Sequence, residues 1–154
     1  MFLMGEEIGA QKAYRYRDFM NNREDLLGER QTNGQRLFRF YQDIIRLRLN
    51  NSGLRSHNID IIHVHNANRV IAFRRWDNSQ EFLIAASLNN NPFGSGYAIE
   101  SSRLGNGTWR EVFNSDAEPY GGNSVGNLGG SIGSSNGWIH VVIPANGFVV
   151  LQRI

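Results

Sequence analysis

The chain of 154 residues has no cysteine, only three prolines and no long hydrophobic run. The lack of cysteine excludes disulfides and thiolate metal sites, and it fits the reducing cytoplasm, where we expect the protein to work. No stretch approaches the ~18 consecutive apolar residues of a membrane-spanning helix, so no membrane contact is predicted. The apolar first eight residues include Glu6 and Glu7 and lack a positive start, which is not the pattern of a signal peptide.

An excess of charge of one sign is also missing. The formal net charge is +2, and the 16 basic residues are interleaved with 14 acidic ones. No basic stripe is available for a phosphate backbone, so no nucleic acid partner is predicted. The glycines form no phosphate-binding loop between a strand and a helix, and no cofactor is predicted.

A metal site is considered at two of the four histidines. His63 and His65 alternate on one predicted strand and share a face, ~6.6 Å apart. No carboxylate or third histidine occupies a supporting position, and two histidines alone rarely complete a zinc site. We therefore interpret the pair as structural or solvent-facing, and we predict no metal.

Hydrophobic spacing predicts one amphipathic helix followed by a β domain. Apolar side chains recur at helical spacing over residues 33–49. From about Leu54 the period changes to two, which predicts strands at 59–65, 69–76, 81–88, 96–100, 108–113, 138–143 and 148–151. About seven short strands predict an antiparallel β-sandwich with Greek-key connections. The glycine-rich tract 121–137 is interpreted as a loop.

The stretch 109–127 reads as a strand that ends in a specified loop. Alternation places Trp109, Glu111 and Phe113 on one face. Asp116 and Glu118 are two carboxylates close together in the sequence, and glycoside hydrolysis requires a pair of carboxylates. Because Asp favours turns through hydrogen bonds to its own backbone, a turn role is the stronger interpretation.

Two sets of residues are candidates for a functional site. Glu6 and Glu7 follow an apolar run typical of a buried parallel strand, and sites on parallel-strand folds gather at the carboxyl ends of strands. A structural hydrogen bond or an ion pair with Arg15 or Arg17 is the alternative. The second set could stack on sugar rings or pack in the core, and comprises Trp76, Trp109, Tyr120 and Trp138.

Several sequence segments, in order along the chain, resemble the C-terminal region of alpha-amylase superfamily enzymes (glycoside hydrolase family 13), most closely that of glycogen branching enzymes. They are Phe2-Leu3-Met4-Gly5-Glu6-Glu7, the helix end 40–48, the strands 68–75 and 82–90, the segment 109–122, and the closing strands around Ile143-Pro144 and 148–151. The segment 109–122, with its Tyr120-Gly121-Gly122, is the most specific.

The resemblance implies two parts. Residues 1–53 would be the last strand, loop and final helix of a truncated (β/α)₈ barrel, and residues 54–154 an all-β sandwich of the alpha-amylase C-terminal type. The family's catalytic acids lie on earlier barrel strands, so no catalytic residue is assigned and the isolated chain is expected to be inactive. Without barrel neighbours, residues 1–8 are expected to be disordered or paired with another molecule.

Two functions follow from the resemblance. In the first, the domain stabilises its own catalytic barrel by packing against it, and the barrel would be that of a branching enzyme or, alternatively, of an alpha-amylase-type hydrolase. In the second, it is an α-glucan-binding module that uses exposed aromatic rings. Two of the four aromatic residues coplanar on an exposed face would favour binding, and burial of all four would favour packing.

Overall fold

A computed structural model describes residues 5–11 and 25–154. The helices are a 3₁₀ turn at Glu6–Ile8, α1 (Leu26–Gln31), α2 (Gln35–Asn50), α3 (Ser52–Arg55) and a second 3₁₀ turn at Glu118–Tyr120. The strands are β1 (Ile59–His65), β2 (Val70–Trp76), β3 (Glu81–Ser87), β4 (Phe93–Glu100), β5 (Gly107–Asn114), β6 (Ser131–Ser135), β7 (Trp138–Ile143) and β8 (Gly147–Arg153). No helix in these ranges is long and apolar enough to cross a membrane.

The eight strands form one antiparallel sheet in the order β1-β2-β3-β8-β5-β6-β7-β4. The sheet curls into two layers, because one buried core joins apolar side chains of β2, β3 and β8, in what we call the first layer, to those of β4 and β7, in the second layer. β4 lies beside β7 and not beside β5, which is a Greek-key arrangement. The predicted antiparallel β-sandwich is confirmed.

Helix α2 covers the outer face of the first layer. Phe40, Ile44 and Leu47 pack against a second buried cluster. That cluster comprises Leu54, Phe82, Ile84, Phe113 and Val150. The helix predicted at 33–49 is confirmed, with its first residue at Gln35. The proposed boundary between residues 53 and 54 falls inside α3 and stays a prediction.

The glycine-rich tract is not a loop throughout, as the sequence had suggested. Its last part forms β6, which pairs with both β5 and β7. A two-residue turn joins β6 to β7, with φ of 53° at Asn136 and 81° at Gly137. Positive φ at both positions is the type I′ geometry for which Asn-Gly is the strongest short signal. That dipeptide could have identified the hairpin.

A bulge in β5 overturns the predicted alternation. Trp109 lies in the core between the two layers, whereas Phe113 lies in the cluster under α2. The register with β8 shifts between Glu111 and Phe113, which leaves Val112 as an extra residue. An extra residue in one strand moves every later side chain to the opposite face. Trp109 and Phe113 therefore point to opposite sides of the first layer.

The start of the chain also differs from the expectation. Residues 1–4, half of the predicted strand, lie outside the described residues. Glu6–Ile8 is an ordered 3₁₀ turn, and the Ile8 side chain is only 5% exposed. Ile8 lies against Gly34, where an added Cβ would approach the Ile8 Cβ to 2.6 Å. The expectation of disorder is therefore wrong for residues 5–8, because α2 provides a packing surface that the barrel was expected to supply.

Candidate functional site

Helix α2 carries a second apolar face that the sheet does not cover. Ile45 is 51% exposed and Leu49 is 60% exposed. At about 100° per residue these two lie roughly 140–180° around the helix axis from Phe40, which packs on the sheet. We call Ile45 and Leu49 the uncovered α2 face, since no part of the sheet packs on them. The neighbouring Phe38 ring is not included, because the Arg30 guanidinium lies 4.9 Å from its centroid.

A second apolar patch lies on the outer side of the same layer. The β1–β2 register pairs Ile61 with Phe73, whose side chain packs against the cluster under α2, so Ile61 shares that outer face. The exposed members of this β1 patch are Ile59 (57%), Ile61 (56%), Val64 (60%) and Ile71 (37%). Exposed apolar surface of this extent is typical of a face that another surface covers.

The loop after β5 is held to α2 by Tyr120. Its hydroxyl donates to the Asp43 carboxylate at 3.0 Å, and its ring stacks on Phe113 with centroids 5.6 Å apart. Phe40 meets the Tyr120 ring edge-on at 5.5 Å. Burial, together with the bond to Asp43, raises the pKa of Tyr120 to about 12. The residue therefore links the sandwich to the helix.

Tyr120→Phe is expected to cost about 1 kcal/mol of unfolding free energy, because the Asp43 carboxylate loses one donor and keeps only the contacts with Arg39 and Arg46. The folded pKa of Tyr120 is about 12, above the ordinary value of 10.0. The folded state thus holds this proton where the unfolded state releases it, and the contribution of Tyr120 is complete below pH 10 and falls as pH rises to about 12. Urea denaturation at pH 8 and pH 11 should show a smaller pH effect in the variant. Equal pH effects in both proteins would contradict the assignment.

The buried carboxylate of Glu111 holds the same loop near its second end, at Asn127 and Gly129. Glu111 is 8% exposed, and its Oε2 accepts hydrogen bonds from the Asn127 backbone N–H at 2.6 Å and from Asn127 Nδ2 at 2.9 Å. Its Oε1 accepts from the Gly129 N–H at 3.1 Å. Asn127 in turn accepts from the Val142 N–H at 3.1 Å. Glu111 thus ties β5 to the loop, and Asn127 ties the loop to β7.

Asp116, the first of the paired acids in this loop, has the turn role expected of it. Asp116 Oδ2 accepts from the Val125 N–H at 3.0 Å. The backbone N–H of Glu118 donates to the Ser124 hydroxyl at 3.0 Å. Both contacts close the loop on itself, through the carboxylate of Asp116 and through the backbone of Glu118, whose side chain is exposed.

The four aromatic candidates have different environments. Trp109 is fully buried and donates to the Ser134 hydroxyl at 2.9 Å, so its ring offers no face to a sugar. Tyr120 is half-buried in the contact with α2 described above. Trp76 is half-buried, with the Arg74 guanidinium 5.1 Å from its ring centroid. Trp138 is 43% exposed.

A polar cleft of about 530 Å³ adjoins Trp76, where β2 turns into β3. A chain of ion pairs crosses it, from Asp60 to Arg74 (3.6 Å), to Glu81 (2.8 Å) and to Arg153 (2.8 Å). Both Glu81 oxygens are occupied within this chain. The carboxylate of Glu81 is therefore fully paired, whereas the buried Nε of Arg74 has no hydrogen-bond partner among the described residues.

The remaining candidates are spread over the fold. The Glu7 carboxylate accepts from the Gly5 N–H at 3.1 Å, while Glu6 is exposed. The rings of His63 and His65 are stacked 6.4 Å apart, and His63 Nε2 lies 3.2 Å from the Tyr97 hydroxyl. Burial, then the charge of His65, lowers the pKa of His63. Across residues 5–11 and 25–154, no group of three His, Cys, Asp or Glu side chains could hold a metal ion.

Comparisons with known proteins agree with this architecture. A 1,4-alpha-glucan branching enzyme (GlgB) from Thermosynechococcus vestitus is 41% identical over 66 residues, which is 42% of this chain and 8% of that enzyme. Another, GlgB 1 from Xanthomonas euvesicatoria pv. vesicatoria, is 32% identical over 124 residues, or 71% of this chain and 16% of the enzyme. The chain thus spans less than a fifth of the length of these relatives.

A solved structure shows the same fold at low identity. The debranching enzyme from Nostoc punctiforme superimposes with a TM-score of 0.58 and 14% identity, over 85% of this chain and 24% of that one. The family described as "Alpha amylase, C-terminal all-beta domain" matches residues 61–154. The two-layer sheet with its Greek-key order and the matched segment together show that this chain belongs to the alpha-amylase C-terminal all-beta domain family.

Proposed function

We propose that the chain is the C-terminal accessory domain of a cytoplasmic, α-glucan-active enzyme of the 1,4-alpha-glucan branching type. Its work is to stabilise the catalytic barrel of that enzyme by packing against it. The relatives with this name match the chain over only 8% and 16% of their length, which leaves room for a barrel. Catalysis would belong to that barrel, so we expect the isolated chain not to cleave or transfer glucan.

The observation that carries this proposal is the uncovered α2 face. Ile45 and Leu49 are each more than half exposed on a helix whose opposite side is already packed. Fully burying an Ile or Leu side chain contributes about 1.5–3 kcal/mol, so covering the two would supply a few kcal/mol. The β1 patch offers further apolar area on the same side of the sandwich.

A fusion protein tests the proposal. This chain would replace the segment of the Xanthomonas branching enzyme that it matches, and the melting temperature of the catalytic part would be measured. We expect the fusion to melt higher than the catalytic part alone. The double variant Ile45→Asp/Leu49→Asp should lose most of that gain, because two carboxylates would have to be desolvated at the contact.

Leu128→Asp is the matched control. Leu128 is 79% exposed and has φ of 54°, a conformation that Asp adopts more readily than Leu. It lies in the loop between β5 and β6, away from α2, so the same chemical change should leave the melting temperature unaltered. A double variant with the same melting temperature as the unmodified fusion would refute the proposal.

A further inference from the structure

The chain contains four Asn-Gly dipeptides, and the fold restrains them to different degrees. They are Asn33-Gly34, Asn106-Gly107, Asn136-Gly137 and Asn146-Gly147. In such a pair the backbone nitrogen of the glycine can approach the side-chain amide of the asparagine, because glycine has no Cβ to obstruct it. All four Asn residues are exposed, so access to water does not distinguish them.

In three of the pairs the Asn side chain is held by a hydrogen bond. Asn33 Nδ2 donates to Glu29 Oε2 at 3.3 Å. Asn146 Nδ2 donates to Asn90 Oδ1 at 3.0 Å. Asn106 Oδ1 accepts from a backbone N–H of the turn between β6 and β7 at 2.8 Å. Each of these bonds must break before the side chain can turn toward its own backbone.

The glycines of the same three pairs are restrained as well. Gly34 is the N-cap of α2, and its N–H donates to the Glu29 carbonyl at 2.8 Å. Gly107 begins β5 and Gly147 begins β8, and both are paired with a neighbouring strand. Attack by any of these three nitrogens therefore requires the start of a helix or of a strand to open.

The Asn136-Gly137 pair lacks both restraints. Its hydrogen bonds run through the Asn136 N–H and through the Gly137 carbonyl, which accepts from the Ser101 N–H at 2.8 Å. In the part of the chain that the structure describes, the Asn136 side-chain amide and the Gly137 N–H have no hydrogen-bond partner. The two groups that would react are thus both free.

The turn formed by this pair also has little to hold it closed. Asn136 must leave the turn conformation to bring its Cγ to the Gly137 nitrogen, so the free energy of local opening sets the rate. β6 joins β7 through two register pairs, of which Ser135–Trp138 closes the turn. Four of the five residues of β6 are Ser or Gly. A short ladder with few apolar side chains opens at low cost.

We propose that Asn136 is the site at which the folded chain deamidates, because the fold leaves this pair free. The Gly137 nitrogen loses its proton to hydroxide and bonds to Asn136 Cγ, and the side-chain nitrogen leaves as ammonia. Water then adds to one of the two carbonyls of the cyclic imide and opens the ring to aspartate or isoaspartate. The net reaction consumes one water and releases one ammonia, with no oxidation or reduction. It requires no enzyme and is independent of the proposed function.

The two products have different effects on the hairpin. Aspartate leaves the backbone unchanged, and Asp-Gly also suits a type I′ turn, so only a negative charge is gained. Isoaspartate carries the chain through the side-chain carbon and adds one backbone atom to a two-residue turn. That change would displace the nearby Ser134, whose hydroxyl accepts from the buried Trp109 indole at 2.9 Å. We therefore expect the isoaspartate form to melt below the Asn136→Asp variant.

The test incubates the full 154-residue chain at pH 9 and follows all four pairs by peptide mapping with mass spectrometry. Asn136 should convert about tenfold faster or more than the other three, since small differences in opening free energy give tenfold differences in rate. At pH 6 the conversion should be slower, because the reaction needs hydroxide. In concentrated urea the four rates should become similar, because every pair is then unfolded and followed by the same residue.

Asn136→Gly is the matched variant. Gly-Gly also suits a type I′ turn, so the fold should be kept while the reacting amide is removed. Native ion exchange should show an acidic species accumulating in the unmodified chain and not in this variant, with circular dichroism verifying the fold of both. Conversion of Asn136 no faster than that of the other pairs would overturn the proposal. So would a preference for Asn136 that persists in urea, or an acidic species that persists in Asn136→Gly.

Discussion

Trp109→Ala is expected to lower the free energy of unfolding by about 3–5 kcal/mol, which would make it the most damaging single substitution in the sandwich. The indole is fully buried in the core between the two layers. It donates to Ser134, whose hydroxyl donates onward to the Gly105 carbonyl at 2.6 Å. The alanine variant would leave a large cavity and an unsatisfied acceptor at the same place.

Trp138→Ala is the comparison for this prediction. The residue type is the same, but its side chain is 43% exposed, so the loss should be within about 0.5 kcal/mol. Urea denaturation followed by far-UV circular dichroism measures both variants on one scale. A loss of similar size in the two proteins would mean that the core is not centred on Trp109.

Glu111→Ala is expected to cost about 2–4 kcal/mol, because three donors in the loop lose their acceptor. Most of the damage should be local. The N–H groups of Asn127 and Gly129 should lose protection from hydrogen exchange, while amides of β3 and β8 in the centre of the sheet keep theirs. Urea denaturation and hydrogen exchange by NMR measure the two effects.

Two variants control this experiment. Glu111→Gln keeps one carbonyl acceptor in the same place and should lose about half as much stability. Glu118→Ala removes an exposed carboxylate from the same loop and should be nearly neutral. If Glu111→Ala leaves the two amides protected, the carboxylate does not hold the loop.

The bulge in β5 explains why these two residues do different work from Phe113. Trp109 and Glu111 precede the bulge. Trp109 packs in the core, and Glu111 accepts hydrogen bonds from the loop. Phe113 follows it and faces Phe40 on α2, with ring centroids 5.7 Å apart. One strand therefore joins the sandwich core to the helix contact. That division requires the extra residue Val112, which strict alternation does not reveal.

The sequence by itself determined the elements with strong periodicity. The helix at 33–49 and the seven strands could be predicted because burial of one face imposes a repeat of 3.6 or 2 residues. β6 was not predicted, because its small and polar residues show no hydrophobic periodicity. The Asn136-Gly137 turn after it was the feature of the sequence that could have indicated a hairpin. The resemblance carried by residues 109–122 identified the family without any contact information.

Tertiary structure alone decided which apolar residues remain uncovered. Ile44 and Ile45 both belong to the apolar face predicted for the helix, yet only Ile44 packs against the sheet and Ile45 is 51% exposed. Trp109 and Trp138 are the same residue on neighbouring parts of one sheet, yet one is buried and the other exposed. The physical reason is that burial depends on what lies opposite a side chain, and that is set by strand order, layer packing and a single bulge, none of which leaves a local mark in the sequence.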